Sequence, residues 1–351
     1  MTKDVASTGA TEVFLSRRWK RYGIVLGLFA IGVLLFFVLN IVLGSVTIPP
    51  GETFKAILGD HSIDAYSIIW NIRMPRVLGA LLGGSALAVS GLLLQVFFRN
   101  PIVGPFVLGI SSGASFMVGL ALLGSYLLGV SAASSMTLSL AAFIGALLVM
   151  GVVLAVATKV RDIITLLVIG LMTGYVASAA SSFLIAFAQS ENVYRFVIWT
   201  MGSFSGFRWD EVRILAVTGI ALLVISYLSA KPLNAFILGE DYARSMGINV
   251  KRFRYLVIAV SCALAAIVTA FAGPVAFIGL AVPHFARLSL GTSDNRILIP
   301  ASVLGGAMIC GLCDLLARLL FAPVELPISA TTAIFGAPMV IFFLIKGKTT
   351  I

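Results

Sequence analysis

The chain alternates long apolar runs with short polar interruptions, and the length of the runs decides what the elements can be. Residues 1–22 are polar and end in Arg17, Arg18, Lys20 and Arg21, after which an apolar run extends from Gly23 to Gly44. About 20 such residues cross a bilayer as a helix. No small-residue cleavage site stands out after the run, so it reads as a retained first span rather than a removed leader. Nine further apolar segments follow at 77–97, 106–128, 135–157, 163–188, 212–229, 255–272, 274–290, 297–321 and 328–345. The pattern predicts an all-α polytopic membrane protein of about ten transmembrane helices, the eighth short. It has a cytoplasmic N-terminal tail over 1–22 and a single transmembrane domain over 23–351.

The longest polar stretch after the tail, Lys231 to Arg254, reads KPLNAFILGEDYARSMGINVKRFR. Within it Leu238, Tyr242, Ala243 and Met246 recur at helical spacing, Glu240 and Asp241 stand in the first turn, Arg244 near the end, and Gly247 supplies a stop. These signals predict a short amphipathic helix whose charges complement its own dipole. A helix this short cannot cross a bilayer, so its apolar face must lie against something.

Composition agrees with a membrane protein: 60% of residues are hydrophobic and 11% charged, with a mean hydropathy of +1.10, where a soluble domain carries about 25% charged residues. The net charge of +10 raises the question of a nucleic-acid partner, which placement answers. With both termini inside, seventeen of the 24 Lys and Arg fall in inside loops and tails, against six of the 14 Asp and Glu. That satisfies the positive-inside rule and leaves no basic excess to suggest nucleic acid. The basic residues left outside are Lys55, Arg73, Arg76, Arg195, Arg208, Arg213 and Arg318.

The span centres hold almost no charge, whereas an ion-coupled secondary transporter keeps an ionisable group at mid-membrane. Asp314 and Arg318, one turn apart near the outer end of the ninth span, read as an i,i+4 pair. His284 has no ligand partner near it in sequence, and His61 lies in an outside loop, so the two form no shared metal or haem site. Cys262, Cys310 and Cys313 sit in apolar runs and read as packing residues. Small and neutral polar residues are more plentiful: Gly79, Gly83, Ala86 and Ser90 form a ridge in the second span, which lets helices approach closely. Ser178, Ser182 and Gln189 fall on one face of the fifth, with Thr173 and Ser181 nearby. That face is either the wall of a polar passage or a packing surface, and spacing leaves both open. No phosphate-binding loop of the G-x-x-x-x-G-K-[ST] type occurs, so any ATP is bound elsewhere.

Several long motifs occur in one order: RMPRVLGALLGGSALAVSGLLLQVFFRNPIVGPFVLGISSGA from Arg73, MGSFSGFRW from Met201, LGEDYARSMGI from Leu238, FAGPVAFIGLAVPHFAR from Phe271 and ELPISATTAIFGAP from Glu325. From about Gly44 to the C-terminus the chain closely resembles the permease family of ABC importers for ferric siderophores, haem and cobalamin. The resemblance implies the type II importer permease fold in a bacterial or archaeal cytoplasmic membrane, with no cofactor in this chain. Its partners would be a second permease subunit, the same or related, two cytoplasmic ATPase subunits that bind ATP and Mg, and an extracytoplasmic substrate-binding protein. By the same resemblance, Arg73, Arg76 and Arg318 dock the binding protein. Leu238, Gly239, Glu240, Asp241, Tyr242, Ala243, Arg244, Met246 and Gly247, within a coupling segment at 236–250, seat on the ATPase. Asn100 and Ile102 belong to one inner gate loop, and Ile163 and Ile164 to the other, where a cobalamin-transporting relative carries small hydroxyl residues. The expected mechanism is alternating access, with a ferric siderophore as first choice of cargo, then haem, then cobalamin. A purely structural or receptor membrane protein would need neither the polar faces nor the coupling motif.

Overall fold

The computed structural model describes residues 2–44, 46–61, 65–127, 134–157, 159–160 and 162–345, and among them it is helical without a strand. In chain order the helices are α1 (Thr2–Val42), α2 (Pro50–Ile57), α3 (Ala65–Ile68), α4 (Met74–Phe97), α5 (Ile110–Leu127), α6 (Ser135–Ala157), α7 (Ile163–Ala186) and α8 (Ser190–Met201). They continue with α9 (Trp209–Leu228), α10 (Ala230–Ile237), α11 (Glu240–Ser245), α12 (Val250–Ala272), α13 (Ile278–Leu290), α14 (Asn295–Leu319) and α15 (Ile328–Ile345). All ten expected spans are helices. Seven helical segments are long and apolar enough to cross a membrane, with shorter apolar helices at Ile110–Leu122, Ile278–Leu290 and Ile328–Phe342. α1 runs without a break from Thr2 to Val42, so the residues expected as a tail over 1–22 are helical from Thr2 onward. Arg161, Lys346 and Lys348, counted among the inside charges, lie outside the described residues.

Below, "inner" names the end expected to face the cytoplasm and "outer" the opposite end. α4 is the centre of the molecule, buried along nearly its whole length. Its many glycines would weaken a helix in water. In a bilayer, where every backbone N–H and C=O needs an internal partner, helix is enforced, and glycine is free to serve packing instead. A Cβ on Gly84 would overlap the backbone carbonyl of Gly306 on α14, and one on Gly91 would overlap that of Gly279 on α13. The same device joins α5 to α6, where Gly113 and Gly145 lie against each other's carbonyls. Close approach brings polar atoms into reach: Ser90 and Ser261 exchange hydrogen bonds between α4 and α12 at 2.8–2.9 Å, and the Ser85 hydroxyl donates to Val303 O on α14 at 2.9 Å. The ridge seen in the sequence is a packing surface as well, with Gly79 against Phe207, Gly83 against Phe204, Ala86 buried and Ser90 bonded to Ser261.

Two departures from regular helix have local causes. Before α4, residues Ile69–Arg73 form a π-helical turn. Pro75 has no N–H to donate to the carbonyl of Trp70 five residues back, and the indole of Trp209 donates to it instead at 2.8 Å. The eighth span begins later than the apolar run: Gly273 and Phe277 have φ of 71° and 64°, so residues 273–277 are unwound and α13 starts at Ile278. Non-helical backbone at membrane depth survives only where protein satisfies it. Here Ser203 N donates to Ala272 O at 2.8 Å, Ile328 N to Gly202 O at 3.3 Å, and the Ser329 hydroxyl to Pro274 O. These bonds stitch the ends of α8, α12 and α15 together. Short helices complete the two ends, α2, α3 and α8 outside and α10 and α11 inside.

The glycine contacts can be checked by thermal unfolding in detergent. Gly91→Ala should lower stability by about 1–3 kcal/mol, the usual cost of overpacking. Gly151→Ala on α6, where an added Cβ meets nothing within 4 Å, should leave the midpoint unchanged or slightly raised. Equal behaviour of the two would remove close approach as the reason for Gly91.

Candidate functional site

At the outer end the three expected docking arginines are buried and internally bonded. Arg73 donates to the carbonyls of Ile41 at 2.6 Å, Val42 at 2.9 Å and Val46. Those are carbonyls at and beyond the last turn of α1, which have no helical donor of their own. Arg76, 6% exposed, places Nη2 3.1 Å from Asp314 and Nη1 2.8 Å from Glu325. Arg318 sits with Nε 3.5 Å from Asp314 and donates to the backbone and side-chain oxygens of Asn40. The expected i,i+4 pair is thus the looser side of a network that fastens α1, α4, α14 and the segment before α15. Within the network, Glu325 is the half-exposed carboxylate. Lys55, Arg195, Arg208 and Arg213 are exposed, Arg195 bonded to Glu191 at 3.0 Å and Arg213 to Asp210 at 3.4 Å. Asn40, an amide inside the first apolar run, was a legible signal of this network that run length alone passes over.

At the inner end the predicted amphipathic helix is shorter than its apolar pattern. Gly239 has φ 126°, a conformation closed to side chains, so the backbone breaks there; Leu238 caps α10 and α11 spans Glu240 to Ser245. Gly247, at φ 82°, ends the turn after Met246. Ala243 is fully buried against the chain, whereas Leu238, Tyr242 and Met246 are 67%, 47% and 61% exposed. The apolar face is turned outward with no cover from this chain. Glu240 does not share that outward face: its carboxylate takes Arg254 Nη2 at 3.0 Å. Arg254 also donates to Val160 O at 2.9 Å. One guanidinium therefore ties α11 to the first turns of α12 and to the link between α6 and α7. Asp241 and Arg244 form a loose, exposed pair at 3.8 Å.

The two gate segments lie at the same end. After α4, Arg99 adopts φ 47°, and the Asn100 side chain accepts from Ile102 N at 3.0 Å, so Asn100 holds its own turn in shape. Ile102 is half-exposed beside Pro101, Leu280, His284 and Val340. In the other segment Asp162 caps α7, accepting from Thr165 Oγ1 at 2.6 Å and Thr165 N at 2.7 Å. The hydroxyl bond, then the backbone bond, hold its carboxyl below the usual range. Ile163 packs on the core and Ile164 is exposed. Ser178 and Ser182 do share an exposed face of α7, Ser182 donating to Ser178 O at 3.1 Å. Gln189 does not belong with them, since α7 ends at Ala186 and Gln189 opens α8.

The profile of the FecCD transport family matches residues 32–346. The chain is 36% identical over 335 residues to the vitamin B12 import system permease protein BtuC of Klebsiella pneumoniae subsp. pneumoniae, covering 95% of each chain. It is 35% identical over 318 residues to the protein of the same name from Citrobacter koseri, covering 90% of this chain and 92% of that one. Among solved structures, that of an inward-facing metal-chelate type ABC transporter superposes with a TM-score of 0.79 at 28% identity, over 92% of this chain and 99% of the other.

Two outcomes follow from the geometry. Arg76→Ala leaves Asp314, 1% exposed, with Arg318 at 3.5 Å as its remaining cation, and should cost about 3–5 kcal/mol in unfolding experiments, as for a broken buried pair. For the same reason Arg76→Glu perturbs folding and cannot isolate a docking role. Glu240→Gln should speed amide exchange across 240–245 by about tenfold, the worth of a hydrogen bond to a charged group. Unchanged exchange there would show that the Arg254 tether does not hold α11.

Proposed function

Because the chain belongs to the FecCD transport family and is a permease of the ABC type, we propose that it imports a corrinoid of the vitamin B12 class. The observation that carries this is identity of 36% over 95% of both chains to a permease named for vitamin B12 import. The vitamin B12 relatives favour the corrinoid over a ferric siderophore, the first expectation from the motifs, and over haem. An ion-coupled secondary transporter is disfavoured by the near absence of charge in the span centres.

On this reading the chain pairs with a second permease, ATP and Mg are bound by two cytoplasmic ATPase subunits, and a substrate-binding protein delivers the cargo from outside. Both termini are cytoplasmic, in the cytoplasmic membrane of a bacterium or archaeon. The exposed face of α7 with Ser178 and Ser182 lines the passage, and Ile102, Ile163 and Ile164 close it from below with apolar side chains. Arg73, Arg76 and Arg318 serve docking by holding the outer rim in shape, with the half-exposed Glu325 at its open edge. Leu238, Tyr242 and Met246 form the small apolar centre of the ATPase contact, and the Asp241–Arg244 pair forms its polar rim. Movement of α11 then reaches α12 and the α6–α7 link through Arg254.

Reconstitution with the cognate ATPase and binding protein tests the cargo. ATP-dependent accumulation of radiolabelled cyanocobalamin, with none of a ferric hydroxamate, is the expected result. Accumulation of the ferric hydroxamate alone would overturn the corrinoid assignment and restore the siderophore.

A further inference from the structure

Where α6 ends and α12 begins there is a cavity of about 580 Å³, within the size range of ligand pockets. Ala157 and Val160 line one side, and Glu240, Arg244, Lys251 and Arg254 line the other. Three cations therefore face one carboxylate, and that carboxylate is already engaged by Arg254 at 3.0 Å. Arg244 is held only loosely, 3.8 Å from the exposed Asp241. Lys251 is exposed and forms no ion pair among the described residues. Lys251 is thus the cation left to the cavity, with the loosely paired Arg244 beside it.

Its level in the bilayer narrows the ligand. Ala157 is the last residue of α6 and Val250 the first of α12, so the cavity lies at the end of two spans, where headgroups lie. α6 also presents exposed Leu140, Ile144, Leu148 and Val152, an apolar surface against which acyl chains can rest. We propose that the cavity binds the phosphate of an anionic lipid of the cytoplasmic leaflet, with Lys251 supplying the charge. The inference rests on the cytoplasmic placement of this end given above. A lipid bound there lies directly against the Arg254–Glu240 tether, so the anchoring of α11 becomes sensitive to the lipid around it.

The test uses the full chain in its assembled transporter, exchanged into vesicles of dioleoylphosphatidylglycerol and dioleoylphosphatidylcholine and examined by native mass spectrometry for retained lipid. Phosphatidylglycerol should be retained over phosphatidylcholine, and Lys251→Gln should lower that retention about fivefold, the worth of one cation at an anionic surface. Arg252→Gln removes a neighbouring exposed cation that does not line the cavity, and should leave retention unchanged. Equal loss in the two variants would reduce the effect to diffuse surface attraction and overturn the site. Equal retention of the two lipids would do the same, and displacement by inorganic phosphate alone would assign the site to a soluble anion instead. Retained lipid is counted without cargo or ATP, so a failure here is distinguishable from a failure of the transport reading.

Discussion

Everything in this molecule is arranged around the close contact of α4 with its neighbours. Gly84 against Gly306 and Gly91 against Gly279 bring backbone to backbone, and without a hydrophobic difference between lipid and side chain such contact is a main source of helix association. The approach has a second effect, since it draws Ser85, Ser90 and Gln95 within reach of carbonyls on α14, α12 and α13. The hydroxyls of Ser85 and Ser90 and the amide nitrogen of Gln95 are thereby consumed in packing, while Gln95 Oε1 is buried without a hydrogen bond among the described residues. α4 is a scaffold, whereas α7 leaves the hydroxyls of Ser178 and Ser182 on an exposed face.

The two ends use the same chemistry for opposite purposes. Outside, Arg73 and Arg318 take up oxygens at the end of α1, while Arg76 binds two carboxylates from distant parts of the chain. A guanidinium suits this work because its planar fork meets several oxygens at fixed angles. The result is a rim of joined helix ends. Inside, one guanidinium, Arg254, joins pieces otherwise held together by few contacts: a six-residue helix bounded by glycines of positive φ and the link before α7. Many bonds among long helices resist motion, whereas a single bond to a short helix transmits it.

The fold was largely legible because run length is a one-dimensional signal: about 20 apolar residues in a row mean a span wherever they occur. All ten runs became helices, nine of them within about five residues of the expected limits, while α1 extends back to Thr2. The site was legible to a smaller degree, for reasons that differ residue by residue. Gln189 was misplaced because helical spacing continues past Ala186 although the helix does not. Leu238 was assigned to the wrong helix because Gly239 reads as one more residue until its φ is known. The internal partners of Glu240 and Arg76 went unread because they stand 14 and 238 or more positions away, and pairing at such distance leaves no periodic trace. α8 was missed since a short amphipathic helix at the outer end carries neither the length nor the apolarity of a span.

On the proposed function, load enters at the exposed side of α11. Tyr242 and Met246 face away from the chain, Ala243 faces into it, and Glu240 reaches Arg254 from the same turn and a half of helix. A body that small has no room to bend between the two sides, so a displacement of its apolar face moves Glu240 with it. From Glu240 the displacement has one charged route, through Arg254, and that route divides. One branch enters α12, whose Ser261 is bonded to the buried Ser90 of α4 and resists. The other reaches Val160, three residues before α7 begins at Ile163, and α7 is exposed along much of one face. Of the two, the branch to α7 is the less restrained, so on the proposed function motion imposed on α11 is expected mainly at the helix that carries Ser178 and Ser182.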